Sequence, residues 1–389
     1  MTLNRVLQAN VRLSEGGAAG VARALHDYVS GQGIHSEFIY GYGSGGRVSP
    51  LEGTYAATRL TPRSIALSNM VTFPLLGERS QLTTGRARSR LRHKLEGADV
   101  IHLHAMHSYF LNIEALVEEL VAAGKPVIWT MHDEWLLTGR CAQPEGCTLW
   151  RTGCAKCPNL TAYPPSRVDH ASTDWQKRRE LLSRLQAELP TRVVACANWL
   201  ASLAVEAGFE NVSSITNSVD EEFWEHAGPG SPTDKRSGYL FLSRDMRDPK
   251  KVDEVFLAEV ALISDLVIVG DHPPESLRGV TVPAIADRGG IAALMRSRST
   301  LVFTSKVDYY PLTIAEALVA GLSVVALDSP AAREFQHFPG VTILAEKRDM
   351  IDFIRANPEG TAAPIRDVSE FAPEVMGSRY LGLYRELAL

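Results

Sequence analysis

Short apolar runs separated by helical patterns, repeated in two series, constrain this chain more than any other feature. The first series is RVLQANV (5–11), SEFIYGYG (36–43), ADVIHLHAM (98–106), PVIWTMH (126–132), RVVACA (192–197) and VSSITN (212–217). Helical stretches such as VARALHDYVSG (21–31) and NIEALVEELVAAG (112–124) lie between them. The second series is YLFLS (239–243), LVIVG (266–270), TLVFTS (300–305), SVVALD (323–328) and VTILA (341–345). Such alternation predicts α/β architecture, with parallel sheets wrapped by helices. The segment between the series, EEFWEHAGPGSPTDKRSG (221–238), is polar and rich in Gly and Pro, and reads as a linker. A chain of 389 residues suits two domains. The expectation is two doubly wound, Rossmann-like domains, 1–220 and 239–372, facing a cleft. Ligands of open parallel sheets gather beyond the carboxyl ends of the strands, so the residues just after each strand are the candidates.

Bulk properties narrow the class. A net charge of -5 argues against nucleic acid as a partner. The amino terminus lacks the apolar core of a signal peptide, and no run of eighteen apolar residues exists. The expected location is the cytoplasm, where clustered cysteines read as metal ligands before disulfides. One region departs from the average. Residues 59–94 hold eight Lys/Arg and one acid, Glu78, around the apolar MVTFPLL (70–76). Two readings fit: a solvated helical face beside a core segment, or a peripheral contact with anionic lipid at the inner face of the cell membrane. In the second, each basic residue adds roughly 1 kcal/mol.

TSKVDYYPLTIAEALVAG (304–321) carries the most information. A strand ends at Ser305, Pro311 favours the first turn of a helix, and Gly321 stops it. Asp308 lies in the loop and Glu316 in the second helical turn. The free N–H groups of this helix start attract phosphate, which makes Tyr309, Tyr310, Pro311, Leu312 and Thr313 a candidate phosphate-binding segment. The D-x7-E spacing entering EALVAG resembles the signature of the retaining GT-B glycosyltransferases of family 4. That resemblance implies that Asp308 contacts a donor sugar and Glu316 holds ribose hydroxyls of its nucleotide. It also implies an Arg/Lys dyad on the donor diphosphate within SRDMRDPKKVDEV (243–255), best matched by Arg247 with Lys251, with Lys250 as the near alternative. Cations there would stabilise the charge that develops on the leaving oxygens without a metal cofactor.

In the first half, SEGGAAG (14–20) follows the first strand, and Gly16 and Gly17 let backbone N–H groups approach an anion or a sugar. The turn is not G-x-G-x-x-G. His132 ends a strand and leads into Asp133; in the family such an HD pair faces the donor sugar. His104 closes the preceding strand run, VIHLH, and His107 follows it; a structural role is the commoner one for a histidine there. The runs GGAAGVA, HLHAMHSYFLN, WTMHDEWLLTGRC and DSPAARE narrow the resemblance to the colanic acid (exopolysaccharide) biosynthesis glycosyltransferases of fucosyltransferase type. It implies GDP-fucose as donor, a lipid-linked glycan as acceptor, and a carboxyl-terminal segment, 373–389, crossing back onto the first domain. A nucleotide-sugar epimerase or hydrolase of the same build, or a non-catalytic nucleotide-sugar-binding protein, are the rival readings.

Cys141, Cys147, Cys154 and Cys157 form the pattern C-x5-C-x6-C-x2-C. Four thiolates suit a closed, tetrahedral structural zinc site, which leaves no position open for catalytic water. Free thiols and disulfides are the alternatives. Cys196, in an apolar strand, reads as core.

Overall fold

The computed structural model describes residues 3–228, 236–285, 287–362 and 366–389. The chain divides into two compact units, Met1–Ile215 with Gly377–Leu389, and Thr216–Met376. The first unit runs β1 (Arg5–Asn10), α1 (Gly17–Gly31), β2 (His35–Tyr40), β3 (Ala57–Arg59), α2 (Arg63–Leu76), α3 (Gly85–Glu96), β4 (Val100–Leu103), α4 (Ile113–Ala123), β5 (Val127–Met131), α5 (Ala171–Glu188), β6 (Thr191–Ala195), α6 (Asn198–Glu206) and β7 (Val212–Ser214). Its strands form one sheet in the order β3-β2-β1-β4-β5-β6-β7. Every neighbouring pair is parallel. The central strands β4 and β5 are buried along their whole length, as helices on both faces of a parallel sheet require. The order reverses between β1 and β4, which makes their carboxyl ends the switch point.

The second unit runs α7 (Glu221–Ala227), β8 (Tyr239–Asp245), α8 (Glu254–Ile263), β9 (Leu266–Asp271), β10 (Thr281–Val282), α9 (Arg288–Ser297), β11 (Thr300–Phe303), α10 (Leu312–Val319), β12 (Ser323–Leu327), α11 (Pro330–Arg333), β13 (Val341–Leu344) and α12 (Lys347–Ala356). The strand order is β10-β9-β8-β11-β12-β13, again all parallel. Phe241, Leu257, Ile268, Val302, Val325 and Ile354 build the core on one side of this sheet. Its switch point lies between β8 and β11. The strands that the sequence reading missed, β3 and β10, are both at sheet edges and only three and two residues long.

Two expectations need correction. The segment read as a linker opens with a helix: Asp220 caps α7 by accepting from Phe223 N–H at 3.2 Å, and Phe223 is fully buried. Residues 229–235 of that segment lie outside the described residues. The apolar stretch 70–76 is not a core segment either. On α2 only Ala66, Asn69 and Phe73 are buried, while Val71 is 73% exposed and Leu67, Leu75 and Leu76 are exposed too.

The last helix, α13 (Pro373–Leu387), belongs to the first unit from Gly377 onward. A Cβ on Gly377 would run into the Tyr28 ring of α1, so only glycine allows this approach. Gln8 stands opposite His102, and His102 opposite Ile128, across β1, β4 and β5. Strand period two therefore sets Gln8, His102 and Thr130 on one face, continued past the strand ends by His104 and His132. Tyr380 and Tyr384, one turn apart on α13, lie against that polar stripe.

Candidate active site

In the second unit, the candidate residues sit in the loops leaving the two strands at the switch point and on α10, which follows the second of those loops. Thr304, just past β11, donates its hydroxyl to Lys251 O at 2.7 Å and so fixes the loop that follows β8. Lys251 Nζ then reaches Asp308 Oδ1 at 2.9 Å. The fold thus joins two candidates that are 57 positions apart. Arg247 turns elsewhere: its guanidinium grips Asp245 at 2.9 and 2.8 Å and holds that carboxyl well below the usual range. Lys250 is half-buried, with its N–H on Asp248 Oδ1 at 3.0 Å.

Helix α10 begins after Pro311 with no side-chain cap. Its internal bonding starts at Ile314 N–H to Pro311 O, 3.0 Å, so the amides of Leu312 and Thr313 precede the helical ladder. Tyr310 is buried, its ring centroid 4.9 Å from that of Phe335, and serves the core. Tyr309 is half-buried beside it. Glu316 pairs with Arg288 of α9, a residue that no sequence signal singled out. Arg288 Nε also lies 3.6 Å from Asp220 Oδ1, and its guanidinium covers the Phe223 ring at 5.1 Å. Burial pushes the Glu316 carboxyl up, Arg288 opposes that rise, and Asp220 adds to it.

In the first unit, His132 ends a buried chain of hydrogen bonds. Gln8 Nε2 donates to the Tyr384 hydroxyl at 3.2 Å, which leaves Gln8 Oε1 to accept from His104 Nε2 at 2.9 Å. His104 Nδ1 is then an acceptor and takes the Nε2–H of His132 at 3.0 Å. In the other direction Tyr384 donates to His102 Nδ1 at 2.6 Å, and His102 Nε2–H donates to Thr130 Oγ1 at 2.7 Å. Thr130 meets Tyr380 at 3.0 Å. Burial pushes His102 and His104 well below the ordinary histidine value, and His132 down to about 4 against the pull of Asp133. All three rings are neutral at pH 7, and the chain leaves His132 Nδ1 as a lone pair. Asp133 is held by His107 Nε2 at 2.8 Å and by Trp135 N–H at 2.9 Å. Burial would raise the Asp133 carboxyl, but His107 holds it below its usual range. Two of these participants were visible in the sequence as the alternating histidines of VIHLH; Gln8, Thr130, Tyr380 and Tyr384 carried no local sign.

Gly16 sits at φ 91°, a conformation that favours glycine, and directly precedes α1, which starts at Gly17 without a side-chain cap. A Cβ on either residue would touch nothing. Cys141, Cys147, Cys154 and Cys157 are free thiols on the long connection between β5 and α5, and all four line one cavity. Among the described residues, no three or more His, Cys, Asp or Glu side chains are already gathered to hold a metal ion. Cys196 is buried beyond β6.

Comparison with known proteins agrees with this framework. The sequence matches Glycosyltransferase Family 4 over residues 15–223. It is 31% identical over 411 residues to WcaC of Escherichia coli K12, named as a colanic acid biosynthesis glycosyl transferase, covering 98% of this chain and 100% of that one. Among solved structures, HepE of Anabaena in complex with UDP is similar with TM-score 0.62 at 13% identity, over 99% of this chain and 100% of that one. Sucrose-phosphate synthase of Thermosynechococcus elongatus is similar with TM-score 0.64 at 13% identity, over 99% of each. The paired Rossmann-like sheets are those of GT-B structures. The family match and the full-length relative together show that this chain belongs to glycosyltransferase family 4 and is a glycosyltransferase.

Proposed function

We propose that the enzyme is a retaining hexosyltransferase that moves fucose from GDP-fucose to a lipid-linked exopolysaccharide intermediate, with no metal in the reaction. The observation that carries the donor site is the meeting of Lys251 with Asp308 beside the uncapped start of α10. Cleavage of the sugar–phosphate bond puts charge on the leaving oxygens. An ammonium and fixed amides meet that charge without reorganising. Lys250 and Arg247 are the further cations within this loop. Glu316, steadied by Arg288, accepts from ribose hydroxyls. His132 offers its Nδ1 lone pair to a sugar hydroxyl. In a front-face departure the C1–O bond to phosphate breaks, the acceptor oxygen bonds C1 from the same side, and its proton passes to the departing phosphate oxygen.

Guanine and fucose rest on the resemblance to the fucosyltransferase type, and the polysaccharide acceptor on the likeness to WcaC. The lipid side of the proposal has its own support. Leu67, Val71, Leu75 and Leu76 of α2 and Leu82 after it are exposed. Arg63, Arg79, Arg86 and Arg90, near them in sequence, are exposed and form no ion pair among the described residues. Exposed apolar residues with unpaired cations in the same stretch suit the cytoplasmic face of an anionic membrane. No helix among the described residues is long and apolar enough to cross it.

Thermal stability against GDP, UDP, ADP and dTDP tests the donor. A nucleotide at about 100 times its dissociation constant stabilises the fold by about 2.7 kcal/mol. A shift with GDP supports the reading. A shift with UDP alone, the nucleotide bound to HepE, discards fucose, and no shift with any of them removes the donor site. The anomeric configuration of the transferred sugar, read by NMR, decides retention.

A further inference from the structure

The connection between β5 and α5, residues 132–170, contains no helix or strand beyond a short 3-10 turn, Leu149–Thr152. Loops of that length without regular structure are uncommon in compact domains and need something to hold them. Yet Trp135, Leu136, Leu137, Ala142, Trp150 and Cys154 are all buried. Side chains supply part of the hold. Arg140, 1% exposed, donates to Ala162 O at 2.6 Å and to Asn159 O at 2.7 Å. Arg178 of α5 donates to Trp135 O at 2.5 Å. Gly139 passes so close to Ala171 that a Cβ there would collide with its carbonyl. At the centre of this bound-up loop, the four cysteine side chains line a single cavity with Thr138, Arg140, Leu149 and Trp150.

We propose that these four thiols hold one zinc ion as a structural tetrathiolate site. Three features besides the shared cavity point that way. Cys154 Sγ already accepts the N–H of Gly139 at 3.2 Å, and Arg140 Nη2 stands 3.9 Å from Cys157 Sγ. A Zn²⁺ with four thiolates carries two net negative charges, and these donors face that excess. The backbone is left-handed at Gly153, Cys154 and Lys156, which turns the chain tightly within and just before the C-x2-C segment. Along the chain the ligands fall into two groups, Cys141 with Cys147 and Cys154 with Cys157, before and after the 3-10 turn Leu149–Thr152. A metal between the groups closes the excursion as no helix or strand does. The thiols are not gathered for a metal as they stand, so binding draws them in by side-chain rotation. Each thiol loses its proton to solvent on coordination, and nothing is oxidised.

The site fixes the segment that follows His132: Glu134 N–H bonds Ala142 O at 3.1 Å, one residue past the first ligand. The inference does not depend on the donor or acceptor named above. Full-length protein made in zinc-supplemented medium is expected to contain about one zinc per chain, released only when a mercurial blocks the thiols. Cobalt-substituted protein is expected to show the intense visible bands of a tetrahedral thiolate centre. Cys157→Ser is expected to lose the metal and the bands, while Cys196→Ser, outside the loop, keeps both. The wild-type metal content and cobalt spectrum decide the matter even if the loop variant fails to fold. Wild-type protein with less than a tenth of an equivalent of zinc and four titratable loop thiols overturns the proposal. So does a mass deficit showing disulfides among these cysteines.

Discussion

Lys251 Nζ stands 2.9 Å from Asp308 Oδ1, so the loops leaving β8 and β11 are tied together by one ion pair at the switch point of the second sheet. The side chains are 37% and 25% exposed, which limits what the pair contributes to folding. Lys251→Ala is expected to lower the rate of sugar transfer a few hundredfold, equivalent to about 3–4 kcal/mol of barrier. Stability should change by no more than about 1 kcal/mol. Steady-state kinetics beside urea denaturation separates the two effects; a large stability loss with unchanged turnover refutes the assignment.

Glu316 depends on Arg288 more than Asp308 depends on Lys251, because its carboxylate is only 12% exposed. Arg288→Ala leaves that carboxylate without its cation, and also takes a partner from Asp220. The expected loss of stability is about 2–4 kcal/mol, with weaker nucleotide binding. Arg288→Lys should restore part of both. Equal stability of Arg288→Ala and wild type in urea would sink the claim.

The neutral histidines predict a pH dependence. His102, His104 and His132 are all lowered by burial, His132 to about 4. Between about pH 4 and the unfolded value near 6.5, the unfolded chain binds protons that the folded chain refuses. Stability therefore rises with pH across that window, and falls as acid is added. The three rings together give a slope of at most about 4 kcal/mol per pH unit. Urea curves at about pH 7.5, 6 and 5 measure it, and a flat result between the outer two contradicts the neutral network.

Tyr384→Phe removes one hydroxyl but leaves Gln8 Nε2 and His102 Nδ1 buried without their partner. The expected destabilisation is about 1–3 kcal/mol. Turnover should fall as well, since the hydrogen-bond order that orients His132 is broken at Gln8. Retention of both stability and rate argues that the chain sets nothing.

Val71→Glu and Leu75→Glu change exposed positions of α2. Both should fold with unaltered stability and lose co-sedimentation with vesicles containing anionic phosphatidylglycerol. Binding by the wild type should weaken with salt, because the surrounding arginines act through a screened potential. Equal binding of wild type and variants removes the membrane contact.

The strand–helix alternation, both sheet cores and the two loops after β8 and β11 were legible in the amino-acid order, because apolar period and turn residues are local properties. The strand end at Ser305, Pro311 and Gly321 placed Asp308 in its loop and Glu316 on its helix for the same reason. The sheet edges at β3 and β10 were not legible, since two or three residues carry too little apolar signal. Helix α7 was hidden by its polar composition; what holds it is Phe223, buried only once the second unit has formed.

Local order also could not say which side chains meet. That Lys251 faces Asp308 while Arg247 turns to Asp245, that Arg288 serves Glu316, and that Tyr384 reaches back to Gln8 across 376 positions are results of tertiary packing. Sequence alone determined which groups were available and on which kind of element each would lie. Only the folded sheets decided their partners, because a buried polar group must find its hydrogen bond in space, wherever along the chain the other half happens to be.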